Sequence, residues 1–376
     1  MISQLIKEHE AYRTSGINLV ASENRVIPSA LNALSSDLAG RYGDKWYGGS
    51  KFAAQIFEEV ENLAKKVFNS KYAFVTPLSG NICDLAVLFS FTSCQGKIAA
   101  VPKEEGGYPL GYKKFERKLI PLPVRKTEII VDEAIDVINK EKPEVTMLGS
   151  SVILFPHPVK ELENAKRYGT LVYDASHVLG LVAGGRFQQP LKEGADVMIG
   201  STHKTFPGPQ GGIVLTNSEE KAEMLKKMLQ FDFDEGIGLV DNPHAHRIAA
   251  IGIVLEEMLS HGREYAGQIV KNARELALSL HELGIPVKFS EKGFTMSHQI
   301  LLDFEPSEAK KFCGKMEEQG IFIDISGRIG VAEATHIGMK EQEMREVAHL
   351  MADAYHGKDV RKGIKKLARR FYDAWK

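Results

Sequence analysis

The segment STHKTFPGPQGG, residues 201–212, decides the fold class of this chain. It lies between two apolar runs, Ala195–Gly200 and Gly212–Thr216, which are typical of buried strands. A loop rich in glycine and proline between such strands lets the backbone approach a ligand closely. Lys204 stands at the start of this loop, where a lysine is well placed for Schiff-base chemistry. A lone loop lysine is usually a solvated side chain, so the interpretation depends on a second residue.

That second residue is Asp174, which follows the apolar run Thr170–Tyr173. An acid at the carboxyl end of a strand lies where open α/β sheets bind their ligands. An enzyme that uses pyridoxal 5'-phosphate (PLP) needs a lysine to hold the aldehyde as an imine. It also needs a carboxylate to keep the pyridine nitrogen protonated. The pair of Lys204 and Asp174 on successive strand ends therefore predicts a PLP site.

The composition is that of an ordinary globular protein, with 376 residues, of which 43% are apolar and 26% charged. This length favours one large and one smaller domain. The net charge of −1 gives no electrostatic footprint for nucleic acid. No apolar stretch reaches transmembrane length, and residues 1–10 lack the apolar core of a signal peptide. We therefore expect neither a nucleic-acid nor a membrane partner.

The cysteines indicate a reducing compartment. Cys83, Cys94 and Cys313 are odd in number and widely spaced, and no CxxC pair occurs. This pattern argues against a disulfide framework and against a zinc site. We therefore expect no bound metal and a cytoplasmic location.

Helix and strand patterns alternate from about residue 50 to residue 217, which is typical of an α/β fold with a mostly parallel central sheet. Residues 52, 56, 60, 63 and 67 are apolar at helical spacing. The predicted strands lie at residues 72–75, 97–101, 145–148, 171–173, 196–199 and 213–215.

A long helical pattern follows, from near Ala245 to about Leu283, with a break predicted at Gly262. Strand patterns at residues 299–304 and 321–323 then alternate with helices, which suits a small α+β domain. We predict three regions along the chain: an N-terminal arm (1–25), a large PLP-binding domain (26–245) and a small C-terminal domain (246–376).

Three further segments are candidates for the site. Ser79, Gly80 and Asn81 precede a predicted helix, where N–H and hydroxyl groups bind phosphate, although a simple N-capped loop is equally consistent with the pattern. Tyr108 follows two glycines and could cover the pyridine face, or be only a turn residue. Arg328, flanked by glycines, could grip a substrate carboxylate with both arms of its fork, or be a surface arginine.

Taken together, these motifs resemble the serine hydroxymethyltransferase family of fold-type I PLP-dependent enzymes, and the chain looks like a shortened, divergent member. The resemblance covers most of the chain. It rests on NLVASEN (residues 18–24), RYGDKWYGG (41–49), SGN (79–81), GGY (106–108), DASHVLGL (174–181), THKT with GPQGG (202–212) and RIG (328–330). The THKT run with its GPxGG tail carries most of this similarity.

The resemblance implies a role for each matching residue. Lys204 would hold the cofactor as an imine, Asp174 would pair with the pyridinium, and His177 would lie beside the ring. The other cofactor contacts would come from Ser79, Gly80, Asn81, Tyr108, Ser201 and His203. Arg328, with Ser22 and Tyr47, would hold the substrate carboxylate. In the family, the segment that contains Tyr42, Asp44 and Tyr47 reaches the site of the partner subunit, which implies an obligate homodimer with shared active sites.

The sequence departs from the family pattern at several positions. The family's catalytic glutamate aligns with Asp44, which is one methylene shorter, within a shortened loop. The histidine that stacks on the cofactor is replaced by Tyr108, and a leucine that contacts the folate pterin is replaced by Lys103. The residues that hold the cofactor are thus largely kept, while those that face folate are not. Tetrahydrofolate or another pterin therefore stays an open question.

The resemblance predicts serine/glycine interconversion by aldol-type cleavage at Cα of a small amino acid, within one-carbon metabolism. A folate-independent β-hydroxy-amino-acid aldolase, or another PLP lyase or transaminase, is the alternative. A protein that keeps the PLP fold without turnover is disfavoured by the presence of Lys204, Asp174 and Arg328.

Overall fold

The computed structural model of the chain describes residues 1–43, 46–230 and 236–375. They form two compact units. The large unit comprises Val26–Arg263, and the small unit comprises Met1–Arg25 together with Glu264–Lys376. The predicted division into functional domains, with boundaries at residues 25 and 245, stays a prediction, because compactness alone does not define them.

The large unit is built on a mostly parallel sheet. Its strands, in the order in which they lie side by side, are β2 (Tyr72–Phe74), β10 (Gly212–Thr216), β9 (Val197–Ser201), β8 (Thr170–Asp174), β7 (Val145–Leu148), β3 (Lys97–Ala100) and β4 (Lys118–Pro121). Only β10 among these runs antiparallel to its neighbours. The residues of β7, β9 and β10 are all buried, as expected for strands covered on both faces.

The sequence predicted each of these strands except β4. This strand is largely exposed and ends in Pro121, so it lacks the continuous apolar run that marks the others. Proline is tolerated there because β4 lies at the edge of the sheet. A short hairpin of β5 (Val124–Arg125) and β6 (Glu128–Ile129) follows it.

Helices alternate with these strands, which confirms the α/β class. The α-helices that lie wholly within the large unit are α2 (Pro28–Leu34), α3 (Lys51–Phe68), α4 (Gly80–Phe91), α5 (Val131–Glu141), α6 (Leu179–Ala183), α7 (Pro190–Glu193) and α8 (Glu219–Leu229). In the core, Leu85 and Leu88 of α4 belong to one cluster with Leu225 and Leu229 of α8. Each such fully buried leucine stabilises the fold by about 1.5–3 kcal/mol.

The structure corrects one prediction about the long helix α9 (Ala245–Glu282), which is continuous through Gly262. The predicted break there is wrong, since a glycine inside a helix costs only about 1 kcal/mol and packing easily offsets it. A Cβ at Gly262 would lie 2.8 Å from Cε of Met258, so the glycine also makes room for that side chain. The helix ends before Gly284, whose φ of +80° suits a C-terminal glycine.

The small unit contains the two ends of the chain and has mixed α and β structure. Strand β1 (Ile17–Asn18) pairs in parallel with β12 (Ile321–Phe322), and β11 (Gln299–Leu301) pairs antiparallel with β13 (Arg328–Gly330). Its helices other than the end of α9 are α1 (Ile2–Thr14), α10 (Pro306–Glu318), α11 (Ala332–His336), α12 (Glu341–Tyr355) and α13 (Arg361–Tyr372). Across the described ranges, no helix is both long and apolar enough to cross a membrane.

Candidate active site

Lys204 lies in a loop that begins directly after β9. Thr202 closes the loop, because its backbone N–H donates to the carbonyl of Gly211 at 3.1 Å and its hydroxyl donates to the carbonyl of Pro209 at 2.7 Å. The loop places the half-buried amine of Lys204 within 3.0 Å of Ser201 Oγ, to which it donates a hydrogen bond. The amine is thus held over the carboxyl end of β9.

Asp174 is the last residue of β8, the strand next to β9. The backbone N–H of Ser176 donates to Asp174 Oδ1 at 2.8 Å, and Ser176 Oγ accepts a bond of 3.0 Å from the backbone N–H of Ser201. The hydroxyls of Ser201 and Ser176 are 3.2 Å apart and also hydrogen-bonded. The structure therefore brings Lys204 and Asp174 to adjacent strand ends and links them through these two serines.

The start of α4 packs against Ser201 and Ser176. Ser79 is the N-cap of α4, and its hydroxyl accepts from the backbone N–H of Ile82 at 3.3 Å. A Cβ on Gly80 would overlap Ser201 Oγ, so only glycine allows this approach. Tyr108 donates to Oδ1 of Asn81 at 3.3 Å. The predicted phosphate loop, Tyr108 and Ser201 are therefore neighbours.

The two candidate histidines lie close in sequence to the two serines of this cluster, His177 directly after Ser176 and His203 two residues after Ser201. His177 is 7% exposed, and its carbonyl accepts a 2.9 Å hydrogen bond from the hydroxyl of Thr205. That hydroxyl in turn accepts from the backbone N–H of Gly180 at 3.0 Å, which ties the lysine loop to α6. Burial, with the charge of Lys204 in second place, lowers the pKa of His203 to about 4, so this imidazole is neutral at neutral pH.

Sequence reasoning missed three residues of this region. Ser176 links Asp174 to Ser201, as described above. Arg247 of α9 is buried and donates to the carbonyls of Val75 and Thr76, so it holds the base of the phosphate loop. Asp84 is a buried acid on α4. Its signal in the sequence is a lone charge within the apolar run ICDLAVLF (residues 82–89).

Two of the three predicted carboxylate-binding residues, Arg328 and Ser22, lie in the small unit, whereas Tyr47 belongs to the large unit. Arg328 begins β13, and its Nε donates to Oδ2 of Asp324 at 2.8 Å, with the two side chains 13% and 19% exposed. Ser22 follows Ala21, whose backbone lies so close to Gly330 that a Cβ on that glycine would overlap it. The segment before Ser22 and the strand of Arg328 are thus in contact.

The loop predicted to reach a partner subunit is described in part. Asp44 lies outside the described residues. The rings of Tyr42 and Tyr47 stack with centroids 4.3 Å apart, and each side chain is 45% exposed. Both line a cavity of about 600 Å³, together with Glu61, Thr76 and Asn242. Its described lining includes neither Lys204 nor Asp174, so this cavity is not the candidate site itself.

Comparison with known proteins identifies similar chains. The family model described as serine hydroxymethyltransferase matches residues 1–351. The serine hydroxymethyltransferase of Methanothermobacter thermautotrophicus is 40% identical, over 96% of this chain and 91% of its own. That of Korarchaeum cryptofilum is 38% identical, over 98% of this chain and 94% of its own. That of Pyrococcus furiosus is 39% identical, over 96% and 93%.

Among solved structures, the L-threonine transaldolase of Pseudomonas fluorescens, in its internal aldimine state, is similar in fold. Its TM-score is 0.89 and its identity 27%, over 98% of this chain and 91% of that one. This likeness confirms the prediction of a fold-type I PLP-dependent transferase fold.

Proposed function

The chain belongs to the serine hydroxymethyltransferase family, and we propose that it interconverts serine and glycine by aldol-type cleavage at Cα, with PLP as cofactor. The observation that carries this proposal is the placement of Lys204 and Asp174 on adjacent strand ends, joined through Ser201 and Ser176. A lysine and an acid at the carboxyl edge of one sheet are the two groups that PLP chemistry requires.

The start of α4 supports the phosphate part of this proposal. The first N–H groups of a helix have no partner within the helix, and its dipole favours an anion there. α4 has 12 residues, and Gly80 lets the chain approach Ser201 without a Cβ in between. Ser79, Gly80 and Asn81 thus fit a phosphate, beside the amine of Lys204.

The cofactor would supply the electron sink, and the residues of the chain would bind and orient it. When bound, PLP accepts the electron pair that is released when a bond at Cα breaks. Lys204 would hold the cofactor, and Asp174 would keep the pyridine nitrogen protonated. His177 and Tyr108 would hold the cofactor ring, and the neutral His203 would lie behind these residues.

Arg328, with Ser22, is the proposed site for the carboxylate of the amino acid. A guanidinium fork binds a carboxylate through two parallel hydrogen bonds, which fixes the orientation of Cα. Arg328 would thereby help to select which Cα bond breaks. The contact of Ala21 with Gly330 supports a shared role for the two segments.

We further propose a homodimer with shared active sites, in which Tyr42, Asp44 and Tyr47 act on the partner's substrate. Trp46 and Phe52 support this proposal, because these large apolar side chains are 67% and 68% exposed in the single chain. Asp44 or His177 would move the proton. We also keep as proposals the division into three regions with boundaries at residues 25 and 245, and a cytoplasmic location. The wide spacing of the three cysteines supports the cytoplasmic location.

A folate-independent aldolase is the second candidate. Lys103, at the family's pterin-contacting position, is exposed, and Tyr108 binds Asn81 where the family has a histidine. The structural similarity to an L-threonine transaldolase is in line with aldol chemistry. In both candidates Lys204, Asp174 and Arg328 keep the same roles.

An absorbance spectrum tests the cofactor. The purified protein with added PLP should show a visible absorption band that Lys204→Ala loses. Lys192→Ala, which changes an exposed lysine of α7, should keep it. A wild-type protein that shows no band with added PLP would contradict the proposal.

Serine cleavage with and without tetrahydrofolate tests the acceptor. For a hydroxymethyltransferase, the rate should rise strongly when tetrahydrofolate is added. Equal rates in its presence and absence would replace this function by the folate-independent aldolase.

A further inference from the structure

Asp84 is a buried acid on α4 to which the proposed function gives no role. The residue is 3% exposed, and its Oδ1 has no hydrogen-bond partner among the described residues. The next residues along the helix, Leu85 to Leu88, are apolar and buried. A carboxyl group placed in such surroundings costs several kcal/mol if it is ionised without a partner, to an order of magnitude. Its protonation state therefore requires an explanation.

The face of α4 that carries Asp84 is the face turned toward the candidate site. Gly80 and Asp84 are four residues apart in one helix, so they share a face. A Cβ on Gly80 would overlap Ser201 Oγ and lie 3.4 Å from Ser176 Oγ. Those two hydroxyls belong to the chain of hydrogen bonds that joins Lys204 to Asp174. Asp84 thus lies one helical turn further along α4 than Gly80, the residue that contacts these hydrogen-bonded serines.

The carboxyl groups of Asp84 and Asp174 and the amine of Lys204 therefore share one region at the carboxyl edge of the sheet, in which Asp84 is buried and the other two are partly buried. Two nearby carboxylates cannot both ionise at low cost, and the one with better donors keeps the charge. Asp174 accepts a hydrogen bond from the backbone N–H of Ser176, whereas Oδ1 of Asp84 accepts none. Burial and, after it, Asp174 hold the pKa of the Asp84 carboxyl well above its ordinary value, against a smaller opposite effect of Lys204.

The other groups around Asp84 do not counteract the raised pKa of its carboxyl group. Helix α8 and strand β10 pack against α4 with apolar side chains, among them Leu225 and Val214. The ionisable groups that interact electrostatically with Asp84 are Asp174 of β8, Lys204 after β9, Cys83 of α4, and Tyr108 and Tyr112 of the segment after β3. Burial raises the pKa of Cys83 and of both tyrosines, so none of these three carries charge at neutral pH.

We propose that Asp84 is a positioning acid that holds a proton beside the cofactor site and so leaves the negative charge of the acid pair on Asp174. This role rests on the proposed function, because Asp174 must be ionised to keep the pyridine nitrogen protonated. Asp84 acts through Asp174 and touches neither the substrate nor the reacting bond.

Infrared difference spectra of the full-length, PLP-loaded protein test the proton directly. The wild-type minus Asp84→Asn spectrum at pH 7 should contain the C=O stretch of a protonated carboxyl group. Asp136→Asn, which changes an exposed acid of α5, should give no such band. A wild-type minus Asp84→Asn spectrum that contains only carboxylate bands would overturn the proposal.

Thermal unfolding across pH gives a second readout. If Asp84 is protonated in the folded state and ionised in the unfolded state, folding takes up a proton at pH values between about 4 and the raised folded-state pKa. The wild type then loses stability, relative to Asp84→Asn, as the pH rises toward the raised folded-state pKa. The Tm of the wild type minus that of Asp84→Asn should therefore fall from pH 5 to pH 7. A constant difference would contradict the proposal.

The pH profile of serine cleavage separates this proposal from the proposed function. Ionisation of Asp84 should contribute to the alkaline limb of kcat/KM, so Asp84→Asn should move that limb to higher pH. If PLP binds and serine is cleaved but Asp84 gives no protonated-carboxyl band, the inference fails and the function stands. If the band is present but PLP does not bind, Asp84 keeps its proton and loses its proposed role.

Discussion

The amine of Lys204 donates a 3.0 Å hydrogen bond to the hydroxyl of Ser201. The Ser201 hydroxyl bonds that of Ser176, and the backbone N–H of Ser176 donates to Asp174. The lysine and the acid are therefore positioned relative to each other by two serines on neighbouring strand ends. A substitution at either serine should therefore alter the positions of both the Lys204 amine and the Asp174 carboxylate.

Replacing Ser201 by alanine should weaken PLP binding about fivefold. The change removes the acceptor that orients Lys204, and one hydrogen bond of this kind contributes about 1 kcal/mol. An absorbance titration of the unloaded protein with PLP measures the effect. Ser260→Ala, which removes an exposed hydroxyl bonded only within α9, should leave the PLP Kd unchanged. An unchanged Kd in Ser201→Ala would show that the lysine needs no such support.

The sequence alone predicted the largely buried strands of the large sheet, because a continuous apolar run is a strong signal. It predicted Lys204 and Asp174 for the same reason, since each stands at the end of such a run. It did not predict β4, whose exposed residues carry no pattern, or the continuity of α9 through Gly262. A local rule treats glycine as a helix breaker, whereas packing along a long helix offsets its small cost.

The residues that sequence reasoning missed act through contacts between distant segments. Arg247 and the carbonyls of Val75 and Thr76 are more than 170 positions apart. Ser176, just after β8, accepts a hydrogen bond from Ser201 at the end of the neighbouring strand β9. The packing of α9 and the order of the strands bring these residues together. Asp84 had a readable signal, a charge inside an apolar helix, which a search for unexplained buried charges would have found.

Replacing Asp324 by alanine should raise the KM for serine about tenfold with little change in kcat. Asp324 holds Nε of Arg328 at 2.8 Å, and both side chains are largely buried. A hydrogen bond to a charged group contributes about 1.5–3 kcal/mol, so its loss lets the guanidinium leave the orientation that a carboxylate needs. Steady-state kinetics separate the two constants.

The conservative variant Asp324→Asn serves as the control for this prediction. Its amide oxygen can still accept from Arg328, so it should restore most of the lost affinity. An unchanged KM in Asp324→Ala would mean that Asp324 does not position the arginine for substrate.

Replacing Gly180 by alanine should destabilise the large unit by about 1–3 kcal/mol and reduce the visible PLP band. An added Cβ would overlap the backbone carbonyl of Thr205, the residue after Lys204. Because that neighbour is backbone, the whole lysine loop must shift. Denaturant unfolding and the absorbance spectrum measure the two effects.

Gly314→Ala is the matched control for Gly180→Ala. Gly314 lies on the exposed face of α10, and a Cβ there would meet no atom within 4 Å. This alanine should stabilise the chain by about 0.5–1 kcal/mol, because alanine is the better helix former. Equal effects of the two substitutions would show that the lysine loop adapts without strain.

His157 should make the protein sensitive to acid. The ring packs edge-on against Tyr173, with its Nε2 3.4 Å from Ser150 Oγ, and burial lowers its pKa to about 4. In the unfolded chain the pKa is about 6.5. The unfolded state therefore binds the proton first, so the stability from the neutral ring is complete above pH 6.5 and is lost as the pH falls toward 4. The loss should reach about 3 kcal/mol.

His157→Phe keeps an aromatic ring that cannot be protonated, so its free energy of unfolding should fall less steeply than that of the wild type between pH 6.5 and 4. Urea unfolding at several pH values measures both slopes. His9→Gln, on the exposed surface of α1, should retain the wild-type slope and shows that the effect comes from burial. Parallel curves for the wild type and His157→Phe would mean that the imidazole takes up its proton within the folded protein. Its ordinary pKa would then apply, and the acid sensitivity would belong to other groups.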